Sequence, residues 1–197
     1  MSKETAAAEI KEKTPSVTLD PGYIAKITGV LFAICVVVAL LLGVVNAVTE
    51  PIITQMQAEK TAAAMSQVLQ ADEYDEVDVQ IENVTALYRA MVGGKQVGYV
   101  AEVTSSGFGG IMSLVVGVDM NGAVTGVSVT DDAETKNIGT KVVGDQSVLD
   151  RFIGMSGTIT VNTGSNRFDG ITGATVSSKA VTAGVNTALA AVASLNS

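Results

Sequence analysis

The chain of 197 residues contains no histidine, no tryptophan and a single cysteine, Cys35. Each absence excludes something. Without histidine the usual neutral-pH acid–base group and the commonest metal ligand are both missing. One cysteine cannot supply the thiolates of an iron–sulfur cluster or a structural zinc site, and it cannot close a disulfide within one chain. Cys35 also lies inside an apolar run, so it gives no compartment signal. Any redox chemistry must therefore reside on a cofactor held by other means.

Charge is missing from one segment. Ile27 to Thr49 holds no charged residue over 23 positions, which as a helix would span about 34 Å, enough for a hydrocarbon core. A cleaved signal peptide is the rival reading, because Val45-Asn46-Ala47 could mimic a small-residue cleavage site. The stretch is longer than an ordinary signal core and follows a long polar leader, so a retained anchor is favoured. Lys11, Lys13 and Lys26 precede the span closely, and only Lys60 follows within a similar distance. By the positive-inside rule the N-terminus is expected in the cytoplasm and the C-terminal domain outside, with a single pass through the cell membrane. Residues 1–26 balance four lysines against four acidic residues and read as a disordered polar tail.

The segment from Glu50 onward carries 8 basic and 16 acidic residues, so the whole net charge of −8 belongs to it. That argues against a nucleic-acid partner. An anionic cofactor there must be held by local backbone dipoles. Thr49-Glu50-Pro51 reads as a junction, with Pro51 suited to a first helical turn. Ile52 to Gln70 reads as a second helix, making 50–75 a membrane-proximal helix and linker before a domain over 76–197. Asp72–Asp78 is expected to be a solvated acidic loop.

From there the apolar period becomes two. Val77, Val79 and Ile81 alternate as in a half-buried strand. Leu87–Val92 and Val97–Val103 flank Gly93-Gly94, and Ile111–Val118 and Val124–Thr130 flank Asn121-Gly122, which predicts two hairpins. Asp131–Gly139 reads as a loop, Gln146–Phe152 as a short helix and Thr158–Val161 as a short strand. A last helix is expected from about Ser178 to Leu195, with Val181, Val185, Leu189 and Val192 on one face. Strands in the middle and helices at both ends predict an α+β domain on an antiparallel-rich sheet with flanking helices. The sequon Asn83-Val84-Thr85 is discounted as a chance match.

The most constraining segment is Asp169-Gly170-Ile171-Thr172-Gly173-Ala174-Thr175-Val176-Ser177, a polar loop that presents Thr175 and runs into the last helix. Helix N-termini carry free N–H groups and partial positive charge, and the small Gly173-Ala174 pair lets a phosphoester approach the backbone. The string resembles the flavinylation motif Asp-x-x-(Ser/Thr)-Gly-Ala-Thr-x-(Ser/Thr) of membrane-anchored FMN-binding subunits, and every specified position is matched. The resemblance implies FMN bound covalently through its phosphate to Thr175, installed by a flavin transferase. It also implies that Thr172 and Ser177 bond phosphate oxygens or cap the helix. Asp169 is expected to serve recognition by the transferase. Lys179 is read as a surface lysine, in a place that an anion would favour, and Phe168 as a candidate packing partner for the flavin ring.

More broadly, the chain resembles the G subunits of the Rnf complex, a membrane-bound ferredoxin:NAD⁺ oxidoreductase, and the related subunits of sodium-pumping quinone reductases. Gly107-Phe108-Gly109-Gly110 leading into Ile111–Asp119 looks like that family's glycine turn, with Gly109 and Gly110 open to close approach of a flat ring. Asp132 to Gly139 stands where the family typically reads His-x-Glu-Thr-Pro-Gly-x-Gly. Glu134, Thr135 and Gly139 match, whereas Asp132, Lys136 and Asn137 depart from the pattern. Glu134 and Thr135 are thereby expected to contact the flavin. The resemblance implies an electron-carrier subunit of an ion-translocating complex with no independent catalysis, no catalytic side chain and no metal of its own. Its implied partners are integral-membrane and iron–sulfur subunits. Two alternatives stand beside it: a free-standing anchored flavoprotein for extracellular electron transfer, and a non-redox anchored module that binds a ligand or protein.

Overall fold

In the computed structural model, residues 21–132, 134 and 139–195 are described. One helix, α1, runs from Pro21 to Val68, and Pro51 lies inside it. Helix therefore continues through the expected junction instead of restarting at Pro51. Proline removes one N–H donor from the helical ladder, and nearby side chains bond along the same stretch. The Thr49 hydroxyl donates to the Val45 carbonyl at 2.8 Å, and the Asn46 amide donates to Glu50 at 3.4 Å. The chain divides into two compact units, residues 1–52 and Ile53–Ser197. In the first, α1 is long and apolar enough to cross a membrane, and Leu31, Phe32, Leu40, Leu41 and Leu42 are all exposed.

The second unit is built on a five-stranded antiparallel sheet in the order β1-β2-β3-β4-β5. The strands are β1 Glu73–Val77, β2 Val84–Val92, β3 Lys95–Ser106, β4 Ile111–Asp119 and β5 Val124–Asp131. Both expected hairpins form, at Gly93-Gly94 and across Asp119 to Ala123. After β5 come two short helices, α2 Thr140–Val143 and α3 Gln146–Leu149, a 3-10 turn Asp150–Phe152, a parallel pair β6 Thr160–Val161 and β7 Arg167–Phe168, and α4 Thr175–Leu195. The expected helix over Gln146–Phe152 is thus an α turn followed by a 3-10 turn.

Two expectations on the first strand are overturned. The acidic stretch is β1 itself, and the segment Asp78–Asn83 outside it is irregular. β1 is an edge strand paired only with β2, so its acidic side chains stay in water and also blunt the edge. The alternation through Val79 and Ile81 reflects packing at the rim of the core, where Val79 sits against it.

The sheet is buried on both faces. On one, Leu87, Val103, Met112, Leu114, Val116 and Val118 pack against Val181, Val185, Leu189 and Val192 of α4, with Phe152 and the short helices closing the end. The helical period of 3.6 meets the strand period of 2 along this seam. On the other, Ala64, Met65 and Val68 of α1 cover Ala90, Val100 and Val115. Contact there is close because β4 and β5 offer glycine. A Cβ on Gly126 would sit 2.8 Å from the Val68 Cα, and one on Gly117 would sit 2.7 Å from the Val68 carbonyl oxygen. The Thr125 hydroxyl donates to that same carbonyl at 2.7 Å. Where α1 stands off the sheet, a groove of about 730 Å³ opens, lined among others by Lys60, Tyr88 and Glu102. Burial, and then the Glu76 carboxylate, pushes the Glu102 carboxyl above its usual range.

The β4–β5 turn is organised by Asp119. Only Gly122 adopts positive φ there, at +77°, and Asn121 does not. The Asn121 and Ala123 N–H groups each donate to the Asp119 carboxylate at 2.8 Å. Burial pushes this carboxyl up, but hydrogen bonds from Ala123, Asn121 and Gly122 outweigh it and hold its pKa below the ordinary value of 3.8. Asp119→Ala is expected to cost about 1 kcal/mol at neutral pH. A depressed folded-state pKa makes this increment complete above 3.8 and lost as pH falls through the lower folded value. Urea unfolding midpoints of the two proteins should therefore separate at neutral pH and converge in acid.

Candidate functional site

The segment that carries Thr175 is a turn locked onto the start of a long helix. The Ala174 N–H donates to the Ile171 carbonyl at 3.0 Å, and Gly173 has φ +81°. A bond from the first to the fourth residue, with positive φ at the third, defines a type II turn over Ile171 to Ala174. α4 begins at Thr175 itself, one turn earlier than the periodicity suggested. The reason is that Ala174 is buried and closes the first rung, its carbonyl accepting from the Ser178 N–H at 2.9 Å. The Ser178 hydroxyl, fully buried, accepts from the Ile171 N–H at 3.1 Å and pins the turn to the helix.

Burial alternates sharply here. Thr172, Gly173, Thr175 and Val176 are exposed, whereas Ala174, Ser177 and Ser178 are buried. Thr175 thus stands at the surface on a backbone anchored from beneath. Among the described residues, none accepts a hydrogen bond from the N–H groups of Thr175, Val176 and Ser177 or bonds the Thr175 hydroxyl. No acidic residue lies in the first turn of α4. Exposed Lys179 is four residues on from Thr175, hence on the same face of the helix. A hydroxyl, free amide donors, the positive end of a 21-residue helix and a lysine together suit a phosphoester.

The helix is held to the sheet by more than apolar packing. The Ser105 hydroxyl of β3 donates to the Ala180 carbonyl at 2.8 Å. Asn186 clamps the irregular segment before β6, accepting from the Ile159 N–H at 2.9 Å and donating to the Ile159 carbonyl at 2.8 Å. On the approach to the motif, the Gly170 N–H donates to the Asn162 side chain at 2.8 Å.

Three predicted site residues meet partners the sequence did not announce. Asp169 is exposed and forms an ion pair with Arg167, Nε to Oδ1, at 3.0 Å, which supplies a counter-charge to a carboxylate close to the acceptor. The Ser177 hydroxyl donates to Glu134 Oε2 at 3.1 Å, so it is directed at a carboxylate in the chain itself. Glu134 is buried, and its other oxygen accepts from the Phe108 N–H at 2.9 Å. The glycine turn of Gly107, Phe108, Gly109 and Gly110 is closed by a bond from the Gly107 N–H to the Gly110 carbonyl at 2.8 Å. Glu134 therefore brings this turn and the attachment helix together. Thr135, Lys136 and Asn137 lie outside the described residues.

Phe168 is a correction. It is 1% exposed and stacked on Phe152, with ring centroids 4.2 Å apart and planes 9° from parallel. A core aromatic pair cannot also offer a face to a ring at the surface. The exposed aromatic near the motif is Phe108, at 65% exposure, which sequence reasoning passed over as part of a glycine turn. An aromatic flanked by three glycines, with no strand neighbour to cover it, was the available signal.

Comparison with known proteins places this geometry. Residues 107–190, from the glycine turn through most of α4, match the FMN-binding domain family. The fold resembles that of the C subunit of Na⁺-translocating NADH-quinone reductase from Parabacteroides distasonis, with TM-score 0.55 and 18% identity over 73% of this chain and 96% of that one. The class is therefore a protein with an FMN-binding domain, carried on a chain whose first helix is long and apolar enough to cross a membrane. The chain is 31% identical to the G subunit of the Na⁺-translocating ferredoxin:NAD⁺ oxidoreductase complex of Acetobacterium woodii, across 90% of this chain and 94% of that one. It is 28% identical to the G subunit of the proton-translocating complex of Clostridium ljungdahlii, across 86% and 92%. The chain belongs to the family of G subunits of ion-translocating ferredoxin:NAD⁺ oxidoreductase complexes, the family its motifs resemble.

The turn makes a specific demand at Gly173. Open space surrounds a Cβ built there, so only the positive φ opposes a side chain. Gly173→Ala should lower stability by about 1 kcal/mol, and Gly173→Asn by less, because asparagine tolerates this conformation. Equal losses for the two in urea unfolding would contradict the turn assignment.

Proposed function

We propose that this chain is an electron-carrying subunit of a membrane-bound, ion-translocating ferredoxin:NAD⁺ oxidoreductase, with FMN joined as a phosphoester to Thr175. The observation that carries the reading is the exposed Thr175 hydroxyl on the first residue of α4, inside the span that matches the FMN-binding domain family. Kinship along nearly the whole chain to subunits of such complexes supports the assembly. It favours neither the free-standing flavoprotein nor the non-redox module.

The residues fit the group chemically. The Thr175 oxygen would form the new bond to phosphorus as a P–O bond in an activated flavin phosphate donor breaks, the hydroxyl proton and the donor's leaving group departing with the transferase. The N–H groups of the first turn would hold the phosphate, and Lys179 would add a positive charge one turn along. Arg167 neutralises Asp169, which removes the repulsion that carboxylate would otherwise exert and leaves it displayed for recognition by the transferase. Thr172, exposed at the second position of the turn, would donate to a phosphate oxygen. Exposed Phe108, with Gly109 and Gly110, offers an apolar surface to the ring. FMN, when bound, supplies passage between one- and two-electron chemistry, and the protein supplies its placement and its electrostatic setting. Permanent attachment suits a domain outside the cytoplasm, where a dissociated flavin would be lost.

Partners follow from the same reading: membrane-integral and iron–sulfur subunits of the complex, and a flavin transferase for maturation. By the positive-inside rule the lysines before the apolar span favour a cytoplasmic N-terminus and a flavin domain outside.

Thr175→Ala should abolish in-gel flavin fluorescence of the protein made with its transferase, since alanine has no oxygen to esterify, and Thr172→Ala should at most reduce it. Fluorescence surviving the first and lost in the second would move the acceptor. For topology, a reporter active only outside the cytoplasm should work when fused after Ser197 and fail when fused after Lys13. Release of a shortened soluble domain from membranes would contradict a retained anchor.

A further inference from the structure

Glu134 is a buried carboxylate whose two oxygens reach two distant parts of the chain. Oε1 accepts from the Phe108 N–H at 2.9 Å, 26 residues away, and Oε2 from the Ser177 hydroxyl at 3.1 Å, 43 residues away. Its own N–H donates to the Asp132 carboxylate at 3.0 Å, which fixes the backbone that carries it. Space for the carboxylate exists only because two neighbours lack side chains. A Cβ on Gly107 would collide with Oε1, and one on Gly139 with Oε2. Three parts of the chain far apart in sequence thus meet at one group: the glycine turn, Gly139 before α2, and the first turn of α4.

Such a group is costly to bury unless its lone pairs are satisfied. Here each oxygen has a protein donor: the buried Ser177 hydroxyl for one, and for the other the backbone N–H of Phe108 in the glycine turn. Ser177 is 1% exposed and lies on the buried side of the turn whose outer side presents Thr175. Phe108 holds the exposed ring that flanks the same site. Moving either donor moves one wall of the flavin site relative to the other.

We propose that Glu134 is a positioning residue. It couples the glycine turn to the attachment helix and sets the orientation of the flavin through Phe108 and Ser177, without contacting the flavin itself. Gly107 and Gly139 are glycines because the carboxylate occupies the volume their side chains would take. This inference rests on the FMN assignment above and adds to it the residue that fixes the cofactor's setting.

Glutamine in place of Glu134 keeps both contacts, its carbonyl accepting from the Phe108 N–H and its amide donating to the Ser177 oxygen. Alanine loses both. The test uses the full-length chain in membranes, made with its transferase, as Glu134→Ala, Glu134→Gln, Ser177→Ala and the Glu134→Ala/Ser177→Ala double variant. Intact mass should show FMN on Glu134→Ala and Glu134→Gln, because Thr175 and the attachment motif are untouched, and the Ser177 variants are compared on their flavin-bearing fraction. The visible spectrum and midpoint potential should shift in the same sense in Glu134→Ala and Ser177→Ala, and the double variant should shift no further than Glu134→Ala. Glu134→Gln should recover the wild-type values.

In chain made without the transferase, amide exchange at Phe108 should be about tenfold faster in Glu134→Ala, the factor expected for one lost hydrogen bond. A Glu134→Gln variant shifted as far as the alanine variant, with Ser177→Ala silent, would overturn the proposal and make the charge act on the flavin directly. Unchanged Phe108 exchange would overturn it equally. If Glu134→Ala does not fold, Glu134→Gln and Ser177→Ala decide alone. A wild-type chain without FMN would sink the functional assignment instead, and exchange at Phe108 would still judge the brace.

Discussion

The structure of the C-terminal unit depends on one constraint: its sheet is apolar on both faces, so both must be covered. β4 shows it most clearly, with Met112, Leu114, Val116 and Val118 buried on one side and Val115 on the other. The end of α1 covers one face through contacts close enough to require glycine at 117 and 126. α4 covers the other, with Gly184 admitting the Leu114 side chain. Burial of roughly a dozen such side chains, each worth about 1.5–3 kcal/mol, gives this packing the leading favourable share of stability. Once α4 is docked along that seam, the place of its first residue is settled, and so is the place of Thr175.

Placement of the proposed acceptor on the first turn of a docked helix reconciles two needs that oppose each other. A modifying enzyme must reach the hydroxyl, yet an electron carrier needs its cofactor held at a defined position. Thr175 is exposed while Ala174, Ser177 and Ser178 on either side are buried. The anchoring is therefore carried by the neighbours. The type II turn, the Ser178 bond back to Ile171 and the Glu134 bond to Ser177 all act from below the surface. What remains outside is a hydroxyl, amide donors that no described residue pairs, and a lysine, a surface that gains by meeting a phosphate.

Much of this was legible in the chain. The hairpins were marked by Gly93-Gly94 and Asn121-Gly122, and the α4 seam by valines at helical spacing. The proposed acceptor was marked by a nonapeptide in which every specified position is filled. What escaped has physical reasons. β1 is acidic because an edge strand needs no apolar face, so period-two reading passed it by. Helix continues through Pro51 because one missing N–H removes a single rung, which sequence logic overestimates as a stop. Four-residue α2 is too short to show a period. The Phe168–Phe152 stack, the Arg167–Asp169 pair and the Glu134–Ser177 bond are tertiary contacts or local geometry. Residue type alone assigns Phe168 equally well to a core or to a ligand, and only packing decides. The loop was read as presenting Thr175, which is exposed, whereas the partners of Glu134 and Ser177 were not foreseeable.

The most direct measurement is localisation of the flavin on the native chain by peptide fragmentation. Cleavage after Arg167 and Lys179 releases Phe168–Lys179, which holds four hydroxyls, at Thr172, Thr175, Ser177 and Ser178. The account predicts that this peptide alone carries the added mass of an FMN phosphoester, with fragment ions that place it on Thr175. Flavin on Thr172, Ser177 or Ser178, flavin on another peptide, or flavin that leaves the denatured protein unmodified would contradict it.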